Sequence, residues 1–179
     1  MQLLSAIILV VLIFFSTGCV QDHLVVSAQI VYLQWYMHDT PYSGPNSSSI
    51  PVTGSNGSDF QTEVQDKFFG QIFVFDDPLT LGPSPQSASF GRAQGTYTYV
   101  SREEFVSYVS YTVSIRSGVY NGSTLNILGA SQYLPGNKYA IVGGTGDFIL
   151  ARGILKEVVV NLFGNASATL SHHATVYLE

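Results

Sequence analysis

Ile141-Val-Gly-Gly-Thr-Gly-Asp-Phe-Ile-Leu-Ala-Arg-Gly153 is the stretch on which the fold reading turns. Two β-prone apolar segments, Tyr139 to Val142 and Phe148 to Leu150, flank Gly143, Gly144 and Gly146. Glycine reaches positive φ without steric cost, so the pattern predicts a hairpin. Gly144-Thr145-Gly146 shares two glycines with a dinucleotide-binding fingerprint. The third glycine and a following helical period are missing, so that reading is set aside.

Outward from this hairpin the chain keeps a strand period. Val31, Leu33, Trp35, Met37 and Asp39 alternate with Tyr32, Gln34, Tyr36 and His38, so one strand face ends in a carboxylate. Further strands are expected at Gly70 to Phe75, closed by Asp76-Asp77-Pro78, and at Ala93 to Val100, Phe105 to Ile115 and Thr124 to Ala130. Leu155 to Phe163 and Ala168 to Leu178 complete the set. Arg102 to Tyr108 admits a helical turn instead. Thr40 to Asp59 and Gly82 to Gln86, rich in Pro, Gly, Ser and Asn, read as loops, and Gly118 to Gly122 as a turn. About eight strands must pair into two sheets or close on themselves to hide their edges. The fold class expected is all-β, an eight-stranded antiparallel β-barrel whose aromatic-lined lumen takes a small ligand.

Composition narrows the rest. The 179 residues carry a net charge of -5 and only 7 Lys and Arg, with no basic cluster, which argues against nucleic acid and against a basic membrane-binding helix. Leu3 to Phe15 is apolar but too short to span a bilayer, so residues 1–28 are read as a secretory signal and 29–179 as one domain. Cleavage is expected after Ala28, with Thr17-Gly18-Cys19 as the other site and a lipid-anchored Cys19 as a variant of it. Cys19 is the only cysteine, and the first cleavage removes it. Sequons at Asn46, Asn56, Asn121 and Asn165 point to a glycosylated, secreted protein, with no membrane association in the mature form.

Five motifs then occur in order: Tyr36-Met37-His38-Asp39, Val74 to Thr80, Gly91-Arg92-Ala93-Gln94-Gly95, Tyr120 to Leu125, and Val142 to Phe148 with Ala151-Arg152-Gly153. The set resembles that of the plant dirigent family. The resemblance implies a barrel of the allene oxide cyclase type, secreted to the cell wall (apoplast) and assembled as a homo-oligomer, a trimer or dimer. It also implies a role in lignan and phenylpropanoid biosynthesis, steering the stereochemistry with which monolignol-derived phenoxy radicals couple. A separate laccase or peroxidase would supply the radicals. No cofactor is expected, since the sequence offers no cysteine cluster, His-x-His pair or haem motif. His172 and His173 would point to opposite strand faces and so share no metal.

The chemistry expected of such a pocket runs through a phenolic radical or a quinone methide, whose ring closure needs an acid at the carbonyl oxygen. A carboxyl in an apolar lumen stays protonated and meets that need. The resemblance places Asp39 there, and a strand-end carboxylate bonded to turn amides is the alternative. Tyr97 and Tyr99 match lumen tyrosines, binding substrate phenols or packing the core. Trp35 shares the Asp39 face. Arg92 would stabilise a phenolate or pair with a surface carboxylate. Asp147 and Arg152 read as structural. The sequence departs from the lignan-forming members in holding Ser131 where they have a second lumenal aspartate, and Asn137 or Lys138 where they have an arginine. Besides stereoselective coupling, an enzyme acting on quinone methides through Asp39, a cyclase, and a non-catalytic wall protein that organises lignin or binds carbohydrate are therefore carried forward.

Overall fold

The computed structural model describes residues 29–40, 47–52, 68–132, 136–163 and 167–178. Its strands are β1 (Gln29–Asp39), β2 (Ser49–Pro51), β3 (Ile72–Thr80), β4 (Ser89–Tyr99), β5 (Val106–Ile115), β6 (Thr124–Gln132), β7 (Asn137–Thr145), β8 (Arg152–Phe163) and β9 (Ser167–Leu178). All pairings are antiparallel, in the order β1-β9-β8-β7-β6-β5-β4-β3-β2. Pairing of Tyr36 with Thr80 and Met37 with Leu79 joins β1 to β3. That contact closes eight strands into a barrel, so the expected fold class holds. β2 fills the part of the β3 edge that β1 leaves uncovered, pairing Ser49 to Pro51 with Phe75 to Phe73.

Alternation explains the core. Val31, Trp35 and Met37 of β1, Phe73, Phe75 and Leu79 of β3, Val113 and Ile115 of β5, and Leu125 and Ile127 of β6 are buried on the inward-facing side of their strands. The wall also needs clearance: Gly95 lies opposite Tyr111, and a Cβ there would collide with the Ser110 carbonyl and with Tyr111 itself. The missing side chain is what lets the Tyr111 ring lie inside the barrel.

Several expected boundaries change. The 141–153 stretch is part of a hairpin, but Gly143 and Gly144 lie within β7, and the turn falls later, in a 3-10 helix at Gly146–Phe148. Phe148 to Leu150 is therefore not a strand. Gly146 at φ 64 and Leu150 at φ 60 take the left-handed positions of this turn. Asp147 accepts a hydrogen bond from Ser123 Oγ at 2.9 Å, which pins the turn to the residue just before β6. Arg152 points outward and is exposed.

β3 does not stop at Asp76-Asp77-Pro78. It continues to Thr80, because the Pro78 ring is accommodated opposite Arg92 while the inward alternation Phe73, Phe75, Asp77, Leu79 persists. Part of the expected Thr40 to Asp59 loop is likewise ordered: Ser49 is buried in β2, and Asp76 N donates to Ser48 O at 2.8 Å. Arg102 to Glu104 forms bends, with no helical turn, before β5 begins at Val106. Gly118 and Gly122 take positive φ in the expected turn, where Asn121 is exposed. The expected signal over 1–28 and the sequons at Asn46, Asn56 and Asn165 lie outside the described residues. Among the described residues no helix is long and apolar enough to cross a membrane.

Candidate functional site

The barrel encloses a cavity of about 280 Å³. Its apolar wall is Met37, Phe75, Phe105, Val109 and Leu170; four phenols, Tyr97, Tyr99, Tyr111 and Tyr139, add polar tips. Three carboxyls reach it from three strands: Asp39 from β1, Asp77 from β3 and Glu157 from β8. Ser107 and Ser131 supply hydroxyls. A small aromatic-walled cavity with a few convergent polar groups is the usual form of a small-molecule site.

The three carboxyls are not equivalent. Burial, reinforced by the Glu157 charge, raises Asp39 to about 7. Burial also raises Asp77 to about 8, with Asp39 and Asp76 adding to the rise and the Ser48 hydroxyl and Arg92 opposing it. Near neutrality Asp77 is mostly protonated and Asp39 about half so, and in that form each acts as a donor. Glu157 goes the other way. Burial pushes its carboxyl up, but the hydrogen bond and charge of His172, with bonds from Asn137 and Tyr139, outweigh that and hold it below the ordinary range. Tyr139 OH and Asn137 Nδ2 donate to Oε1 at 2.9 and 2.8 Å, and His172 Nε2 lies 3.0 Å from Oε2.

His172 is fully buried and stacks on Trp35 at 5.6 Å, and Trp35 stacks on Phe90 at 5.2 Å. Burial raises the phenols of Tyr97, Tyr111 and Tyr139, so all three stay neutral donors. The Tyr111 hydroxyl and Asp77 Oδ1 are buried with no hydrogen-bond partner among the described residues. Buried polar groups are rarely left so, and both belong to the cavity lining.

Asp39, Tyr97, Tyr99 and Ser131 therefore meet in one cavity. The tyrosines pack as well as line it: Tyr97 stacks on Phe73 at 4.6 Å and meets Tyr99 edge-on at 6.0 Å. Ser131 accepts a hydrogen bond from Asn137 Nδ2 at 3.1 Å, which ties it to Glu157. Two expected residues are elsewhere. Trp35 shares the inward face but lies in the packed core, outside the cavity lining. Arg92 faces outward and pairs through Nε with Asp76, its Nη2 donating to Asp76 O at 2.7 Å, because β4 places residue 92 opposite Pro78 on the outer wall. Its reach to the cavity is limited to the weak opposing pull on Asp77.

Asp77, Glu157, His172, Tyr111 and Tyr139 do not stand out in the sequence as site residues. Alternation carries the signal for two of them, since Asp77 continues the Phe73-Phe75 face and Glu157 follows Leu155 at the strand period. His172 and His173 do lie on opposite faces, the first buried and the second exposed. No group of three or more His, Cys, Asp or Glu with metal-binding geometry occurs among the described residues.

A sequence model of the Dirigent-like protein family matches residues 30–177. The chain is 38% identical to pterocarpan synthase 1 of Glycine max over 70% of its own length and 66% of the relative's. It is also 38% identical to a dirigent protein of Sinopodophyllum hexandrum, over 66% of its length and 63% of the relative's. It thus spans about two thirds of the curated relatives it matches. The solved structure of a pterocarpan synthase dirigent protein superposes with a TM-score of 0.75 at 32% identity, covering 88% of this chain and 89% of that one.

Proposed function

The chain belongs to the dirigent family, and on that premise we propose that its barrel binds a phenol-derived quinone methide and closes an oxygen ring on it by proton transfer, with Asp39 as the acid. The observation behind this reading is a pair of carboxyls, Asp39 and Asp77, that keep protons up to about neutral pH in one small aromatic cavity with an ionised Glu157. Orienting two radicals requires shaped walls, whereas a quinone methide gains negative charge on its carbonyl oxygen as the ring closes and needs a donor placed there. Likeness to proteins named pterocarpan synthases supports a synthase role over a purely structural one in the wall.

Stereoselective coupling of phenoxy radicals from a partner laccase or peroxidase is the second reading, favoured by the stacked aromatic wall around Phe73 and Tyr97 and by the relative named a dirigent protein. Two reactions separate the readings. A preformed quinone methide carrying a tethered hydroxyl should close faster, and with one handedness, when the protein is added without any oxidase. Enantiomeric excess confined to coniferyl alcohol oxidised by laccase would transfer the function to coupling. No effect in either would end both and leave the wall protein.

We also propose that the protein is secreted, glycosylated and homo-oligomeric. The supporting features are the exposed Asn121 sequon and the exposed apolar residues of β8, Ile154 and Val158 on its outer face and Val160 and Leu162 at and beyond the bulge. Protein from plant cell walls should be a multimer that loses mass on glycosidase treatment. A monomer of unchanged mass would remove this proposal.

A further inference from the structure

We propose that Glu157 is the proton acceptor of the cavity, taking the proton of the hydroxyl that closes the ring, and that His172 is the residue that positions it. The inference rests on the ring-closing reading above and assigns the half of the proton transfer that Asp39 leaves open.

The geometry is that of a fixed carboxylate with capacity to spare. Oε1 accepts from Tyr139 and Asn137, and Oε2 from His172, which uses three of about four acceptor sites. Glu157 nonetheless belongs to the cavity lining, so a substrate hydroxyl can take the remaining one. His172 has no freedom to leave: it is fully buried and stacked on Trp35. A simple structural pair would have no reason to face a cavity, nor to sit beside two carboxyls of the opposite protonation state. The divergence of environments is what assigns acid and base among like groups.

The step balances. The substrate O–H bond breaks, its proton passing to the Glu157 carboxylate. The freed electron pair of that oxygen forms the C–O bond at the methide carbon. The displaced π electrons move to the ring carbonyl oxygen, which takes the Asp39 proton and becomes a phenol. Glu157 is then neutral and Asp39 charged, and one proton passing from the first to the second restores the site. The groups that set the balance around Glu157 are Tyr139 on β7 and His172 on β9, with Asp39 on β1 and Tyr111 on β5 feeling its charge.

The test uses the full chain and an ortho-quinone methide with a tethered phenolic hydroxyl, generated photochemically from its hydroxymethyl phenol. Glu157→Gln should lower the rate at saturating substrate by about 10²-fold or more, with KM changed only a few-fold, and Glu157→Asp should recover part of it. His172→Gln should shift the acidic limb of the pH–rate profile to higher pH, with the rate recovering above it, which loss of packing alone would not do. Should the single change unfold the barrel, Glu157→Leu combined with His172→Leu exchanges the pair for an apolar wall and should fold yet stay slow. A parent that accelerates closure and a folded Glu157→Gln or double variant that matches it would overturn the inference. A parent that accelerates nothing overturns the ring-closing reading, and the acceptor role with it.

Discussion

Asp39→Asn should lower the rate of ring closure on a preformed quinone methide by about 10²- to 10⁴-fold while leaving substrate binding nearly intact. Asn fills the same volume and keeps a hydrogen-bond donor, but its amide has no proton acidic enough to transfer. Asp39 has a raised value of about 7 and joins no ion pair among the described residues, so the exchange breaks no ion pair and should not weaken the barrel. The parent rate should also fall as pH rises through about 7, as burial and the Glu157 charge can no longer keep the Asp39 proton in place. Single-turnover kinetics on the photogenerated substrate from pH 5 to pH 9 would measure both effects. Equal rates for parent and variant would remove Asp39 as the acid. Asp77→Asn is the natural comparison, because Asp77 is the other carboxyl with a raised value and its Oδ1 has no partner among the described residues.

The second large effect is on stability, and its sign is opposite to that of carboxylates held ionised by ion pairs. Asp39 and Asp77 have folded values raised from 3.8 to about 7 and about 8. Between the unfolded and folded values the native state binds more protons than the unfolded chain, so stability falls as pH rises. Their stabilising contribution is complete below about pH 4 and is lost as pH climbs through about 7 and 8, where both carboxyls must ionise in an apolar cavity. Glu157 has the opposite sign: its lowered value contributes stability above the ordinary carboxylate range that is lost in acid. The balance places the maximum at about pH 4 or below, because two raised carboxyls outweigh one lowered one. A tenfold change in proton affinity between the folded and unfolded chain corresponds to about 1.4 kcal/mol. Part of the effect is shared, because the Asp39 charge contributes to the rise at Asp77, and the loss by pH 8.5 is on the order of several kcal/mol. That corresponds to a fall in Tm of about 10 °C or more. Thermal melts of the parent and of the Asp39→Asn, Asp77→Asn double variant would decide it, since the double variant should lose most of the alkaline fall. A parent curve flat from pH 5 to pH 8.5 would show that the two carboxyls are not held neutral.

Strand periodicity and the five ordered motifs are enough to read the barrel, the family, and the Asp39 and Tyr97–Tyr99 faces from sequence. Alternation states which side of a strand a residue faces, and for Asp39, Tyr97 and Tyr99 that is the information needed. It does not state depth along the barrel. Trp35 and Met37 share one face of β1, yet Met37 lines the cavity while Trp35 packs between Phe90 and His172.

Nor does alternation state which distant strands face one another. Asp77 and Glu157 read locally as a turn acid and an ordinary strand residue; they become site residues because β3 continues through Pro78 and because β8 pairs Glu157 with His172 and Asn137. Those pairings depend on register, on the bulge between Val159 and Asn161, and on closure of β1 against β3 at Tyr36 and Met37. Local pattern was sufficient for a barrel with an acid and two tyrosines on inward faces. That a second protonated carboxyl and a His172-held carboxylate share their cavity emerges only on closure, which brings together strands far apart in the chain. Burial sets the charge of Asp39 and Asp77 there, and hydrogen bonds that outweigh burial set that of Glu157.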